Sequence, residues 1–198
     1  MKKYFVLASA ALALCACETT SSRPYTVSTE NIMAFQSKLQ STDQKVQVAD
    51  FSLAEGVKES MTCRALGALE VAPGKTPVQF IQGAMQDELF NAGAVDTSTG
   101  TVLNGRIEQL DFNSFGTGSW TIALNVSSEA LPTGYTVDTK YSFKTSYSAV
   151  RACQNVIDAF TPAVQELIGK VVAHEQFDQL TGASAETPVA AIDTTDVL

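Results

Sequence analysis

The chain has 198 residues, 45% of them hydrophobic, with 13 lysines and arginines against 21 aspartates and glutamates and a net charge of −8. That length suits one domain with a sizeable core. The acidic balance argues against nucleic acid, whose binding rests on basic patches, and against broad docking onto anionic lipid headgroups.

Met1-Lys2-Lys3 is a short basic start, and an apolar run follows from Tyr4 to Leu14. The run is too short to span a bilayer, which takes about 20 residues, and fits a secretory signal peptide. It closes on Leu14-Cys15-Ala16-Cys17. A signal peptidase needs a small residue before its cut; Ala16 before Cys17 meets that need and Leu14 before Cys15 does not. The string resembles the lipobox of bacterial lipoproteins. The resemblance implies a signal peptide over 1–16 and Cys17 as the first mature residue, carrying a thioether-linked diacylglycerol and a third acyl chain on its amine. A signal peptide cut elsewhere is the alternative. Two or three acyl chains, at about 0.8 kcal/mol per buried methylene, hold a protein on a membrane. Glu18-Thr19 follow with no aspartate in second place, which by resemblance to enteric sorting favours the outer membrane, facing the periplasm. Loss of Lys2 and Lys3 with the leader lowers the charge from −8 to −10, so anchoring falls to the acyl chains.

Cys63 and Cys153 then remain. An oxidising envelope allows them one pairing; two free thiols or a reactive cysteine are the alternatives. No C-x-x-C spacing is present, which argues against a thioredoxin-like redox site.

Residues 17–27 are polar with Pro24 and read as a flexible tether. A single domain is expected over 28–180. Ile32, Phe35 and Leu39 recur at helical spacing behind a Ser or Thr cap, predicting a helix over 28–40. Val46 and Val48 alternate in a strand over 45–51. A further strand is expected from about 61 to 71, closed by Pro73-Gly74. In 76–93, Thr76 caps, Pro77 takes the first helical position, Gln79 completes a capping box and Gly93 ends a helix striped by Val78, Ile81, Met85 and Leu89.

Three strands follow, over 101–115, 119–128 and 135–147. Asn104-Gly105 would form a hairpin turn only by leaving a very short strand, so Gly105 marks a bulge or a close approach. Gly116 to Trp120 supplies a turn. Trp120, Ile122, Leu124 and Val126 alternate, as do Tyr135, Val137, Tyr141, Phe143 and Tyr147. The stripe Val156, Phe160, Val164, Leu167 and Val171 predicts one long helix over 152–172, kinked at Pro162; a second helix capped by Thr161 is the alternative. Residues 181–198 are small, polar and aperiodic, and read as a disordered tail. The order predicts an α+β fold: a mainly antiparallel sheet of four to five strands with two main helices on one face.

Several of these strings are similar to those of the YajG-like lipoproteins of the bacterial outer membrane: the helix ending "DELFNAG", the "LNGRI" strand, "SWTIALNVSS", the aromatic strand and the closing helix. The likeness spans roughly 45–173 and implies a compact envelope domain with no established chemistry. Cys63, Cys153 and the segment 28–40 depart from that pattern. In layout the chain also resembles the lipoprotein that plugs the lipopolysaccharide-transport barrel. Here, however, Arg106, Lys140 and Lys144 are interspersed with Glu108, Asp111, Glu129 and Asp138, which does not suit a phosphorylated glycolipid.

Catalytic signals are absent: no H-E-x-x-H, G-x-S-x-G or S-x-x-K occurs. His174 follows the last helix, where a dipole partner is expected. Asp87 and Glu88 point to different faces and read as a solvated pair. No metal site or cofactor is expected. Phe115 and Trp120 flank the glycine turn; they are either an exposed pair that anchors a partner or caps on the core. The reading is a non-enzymatic, lipid-anchored binding module with an envelope-protein partner. The alternatives are a lipid or glycolipid carrier with an apolar groove between sheet and helices, and a hydrolase of envelope polymers.

Overall fold

The structure, a computed structural model, describes residues 20–183. The expected leader, Cys17 and the tail from residue 184 lie outside the described residues. The elements run α1 (Thr29–Gln40), β1 (Val46–Val48), β2 (Ser52–Leu53), α2 (Pro77–Asn91), β3 (Thr101–Asn113), β4 (Thr117–Ser127), β5 (Tyr135–Lys144), α3 (Ala149–Asp158), α4 (Phe160–Ala173) and the short α5 (Phe177–Leu180). The α+β class stands. On the helical side four helices of ten or more residues are found where two main ones were expected.

The sheet has the order β1-β3-β4-β5, with β2 beside β1 on the same edge of β3. β1 and β2 run parallel to β3, while β3, β4 and β5 form an antiparallel meander. One face is largely apolar: Trp120, Ile122 and Leu124 of β4 are fully buried, Tyr135 and Val137 of β5 lie beside them, and the buried Thr139 donates its hydroxyl to Glu166. In β3 the alternation would fail without an irregularity, because Ile107 and Leu110 are three residues apart. The register shift between Ile107 and Gln109 inserts Glu108 as an extra residue and returns Leu110 to the buried face. The bulge therefore lies at Glu108 and not at Gly105. Gly105 answers the other half of the expectation: a Cβ there would stand 2.5 Å from the Phe51 ring, which occupies its place.

α2 forms as its sequence dictates. Thr76 accepts from the Gln79 N–H, the Gln79 side chain accepts from the Thr76 N–H, and Val78, Ile81, Met85 and Leu89 are all buried. Gly93 closes it with φ +70°. The stripe expected over 152–172 is buried along its length, but the helix divides into α3 and α4 at Ala159, three residues before Pro162. Pro162 has no N–H to give the Asp158 carbonyl, and its ring crowds that carbonyl, so the chain bends there and the apolar face stays continuous. Thr161 caps nothing.

Two expectations fail. Residues 61–71 form no strand: Thr62 and Ala68 make a single bridge, and Arg64 and Ala65 both adopt left-handed conformations, at φ +46° and +60°. Such conformations cost non-glycine residues roughly 1–2 kcal/mol each and end any strand. Residues 20–27, expected as a flexible tether, carry no helix or strand but are fastened to the helices. Ser21 and Gln154 exchange hydrogen bonds of 2.8 and 3.0 Å, Arg23 pairs with Asp158 at 3.0 Å, and the Thr26 carbonyl accepts from Gln165 at 2.7 Å. At the other end, Thr181 is buried and its carbonyl accepts from Thr101, so the domain extends past 180.

Candidate functional site

Three loops meet at the end of the sheet where β3 passes to β4 and β5 to α3. They enclose a cleft of about 400 Å³ lined by Arg64, Phe115, Gly116, Thr145, Ser146 and Tyr147. Cys63 and Cys153 lie beneath it, brought to disulfide distance with their Cα atoms 5.8 Å apart, and so join the irregular loop to α3. Arg64, next in the chain, reaches across the cleft floor. Its guanidinium donates to the Ser146 carbonyl at 2.8 Å, to the Ser114 hydroxyl at 3.2 Å and to the Ser114 carbonyl. Its carbon stands 4.3 Å from the centre of the Phe115 ring, a cation–π contact. These bonds offset the strain of its backbone and hold the two flanking loops together. No carboxylate pairs with this cation among the described residues.

The expected aromatic pair is divided. Phe115 is 66% exposed on the rim. Trp120 is fully buried, with its Nε1–H donating to the Val156 carbonyl at 2.7 Å and its ring 4.7 Å from that of Phe160. It is a core residue and no partner anchor. The alternation of Trp120 with Ile122, Leu124 and Val126 carried that information. Tyr147, fully exposed on the opposite rim, takes the second place. His174 ends α4 and stacks on Tyr135 with ring centres 3.9 Å apart, far in sequence from the cleft loops.

The other correction concerns Glu88, which is fully buried and no solvated partner of Asp87. Its Oε1 accepts from the Tyr25 hydroxyl and, at 3.1 Å, from the Ser28 N–H; its Oε2 has no hydrogen-bond partner among the described residues. Burial holds the carboxyl above its ordinary range, against the opposing pull of the Tyr25 hydroxyl and the Ser28 amide. Burial and the neighbouring carboxylate likewise push the Tyr25 hydroxyl far up. Tyr25 also sets its ring edge-on to Phe80 at 5.6 Å. The buried carboxyl is thus the clasp that holds the incoming N-terminal segment on the domain. Helical spacing could have found it, since Glu88 lies three residues after Met85 and seven after Ile81.

The groove needed by a carrier is occupied: Trp120, Ile122, Leu124, Phe160, Val164 and Leu167 fill the layer between sheet and helices, each fully buried. Among the described residues no group of three or more His, Cys, Asp or Glu side chains is placed to hold a metal ion.

No protein-family model matches the sequence, and no curated protein matches it. Among solved structures, a Xanthomonas campestris protein, XCC0632, described as a member of family DUF330, is similar over 68% of this chain and 87% of its own, at 14% identity and a TM-score of 0.48. A likeness of that size assigns the chain neither a family nor a function.

Proposed function

We propose that the protein is a lipid-anchored module of the cell envelope, held on the outer membrane by acyl chains on Cys17, that works in the periplasm by binding another envelope protein and not by catalysis. The L-C-A-C string supports the anchor. The observation that carries the binding reading is the sheet. β5 ends the strand order with no strand on its outer side; its Asp138 and Lys144 carbonyls accept from the Lys170 and Asn155 side chains, and Thr136, Asp138, Lys140 and Ser142 are exposed. An extended segment of a partner can add to such an edge through backbone hydrogen bonds, with Asp138 and Lys140 selecting among sequences and warding off indiscriminate pairing.

Photo-crosslinking in intact cells tests this. A crosslinker at Ser142 on β5 is expected to yield one defined adduct by mass spectrometry, absent when the crosslinker stands at the exposed Ser37 on α1. Adducts alike at both positions, or none at Ser142, would overturn the reading.

A further inference from the structure

The cleft loops differ in composition from the rest of the molecule. Residues 62–67, 113–119 and 144–152 hold Arg64, Lys144 and Arg151 and no acidic residue, in a chain of net charge −8. Lys144 and Arg151 form no salt bridge among the described residues. The same segments carry Leu66, Phe115 and Tyr147, which are three of the six large hydrophobic side chains exposed among the described residues. Asp111 lines the adjoining hollow on the far side of Phe115, and its carboxylate accepts from Gln109. Asp158, at the other end of α3, is taken by Arg23.

The N-terminal segment arrives at this end. It lies beside Gln154 at Ser21 and beside Asp158 at Arg23, so it runs parallel to α3 and enters from the side of Ser148, the cap next to Tyr147. Gln154 is about 9 Å along the helix from Ser148. Cys17 precedes Ser21 by four residues, a reach of at most about 14 Å. A lipid on Cys17 therefore keeps the cleft end, and not the β4–β5 turn at the opposite end of the sheet, within reach of the bilayer surface.

We propose that this end is the face laid against the membrane, with Phe115, Tyr147 and Leu66 dipping among the headgroups and Lys144 and Arg151 meeting anionic lipid. The proposal rests on acylation at Cys17. Aromatic side chains favour the membrane–water interface, and a local cationic cluster is attracted to an anionic leaflet whatever the net charge beyond a Debye length. Acyl chains then supply the anchorage, and the cleft end sets the orientation. The outer side of β5 stays turned to the periplasm.

The test uses the full acylated chain in vesicles of phosphatidylethanolamine and phosphatidylglycerol, with an environment-sensitive dye on Phe115→Cys, Tyr147→Cys or Thr133→Cys, the last in the β4–β5 turn. Spin-labelled lipid is expected to quench the dye at 115 and 147 and to leave it bright at 133. Lys144→Glu with Arg151→Glu is expected to lose part of the quenching at 147 while the far-ultraviolet circular dichroism is kept. Equal quenching at all three positions, or none at 115 and 147 on a chain shown by mass to be acylated, overturns the orientation alone. Protection of 115 and 147 in native envelopes but not in vesicles overturns it in favour of a protein partner. A chain without acyl groups overturns the anchor and the orientation together.

Discussion

Glu88 carries the sharpest consequence at the scale of single residues. A buried carboxyl whose folded value lies above its ordinary 4.5 is bound more tightly by protons in the folded protein than in the unfolded chain. Its contribution to stability is therefore fully present below that ordinary value and is lost as pH rises through the folded one. Glu88→Gln keeps an oxygen for the Tyr25 hydroxyl and the Ser28 amide and removes the ionisation. Relative to wild type the variant is expected to gain stability as pH is raised from acidic to neutral, and the gap should close again in acid. Urea midpoints of the two proteins across pH check this; a gap independent of pH would show that Glu88 does not titrate in that range. The comparison cancels groups of opposite sign common to both proteins, such as Glu166, whose carboxyl the Thr139 hydroxyl holds below its usual range.

Between elements, the link from the irregular loop at Cys63 to α3 at Cys153 matters most. It joins residues 90 apart in sequence, and closing a loop of that length stabilises by roughly 4–5 kcal/mol on the chain-entropy model, less where the unfolded chain keeps structure. The Cys63→Ala, Cys153→Ala double variant is expected to unfold at markedly lower denaturant than the oxidised wild type and to match the wild type in reductant. Equal midpoints for all three would show the thiols unpaired. The elements themselves were legible wherever local chemistry and apolar periodicity agreed, as in α2 with its capping box and in β4 with its strict alternation. Reading failed where a contact remote in sequence decides the conformation. The 61–71 segment has apolar residues enough for a strand, yet Arg64 is turned aside by carbonyls at 114 and 146 that no local pattern announces. The 20–27 segment is polar enough for a tether, yet Glu88, Gln154, Asp158 and Gln165 hold it from far along the chain. The cleft was half legible. Phe115, the last residue of the strand expected over 101–115, lies past the end of β3 and is exposed; Trp120, inside the alternation of β4, is buried.

For the whole molecule the pieces form one arrangement. The helices lie on a single face of a five-stranded sheet, the opposite face stays open, no strand pairs with the outer side of β5, and a fastened segment runs along α3 away from the aromatic-rimmed end. Fastening matters because a loose tether would let the domain turn freely above the bilayer, whereas residues 20–28 limit it to one side. Mass spectrometry of the N-terminal peptide from the membrane-extracted protein tests this most directly. The account predicts a mature chain beginning at Cys17 with the mass of diacylglycerol and amide-linked acyl groups on it; an unmodified Cys17, or a chain beginning at any other residue, would contradict it.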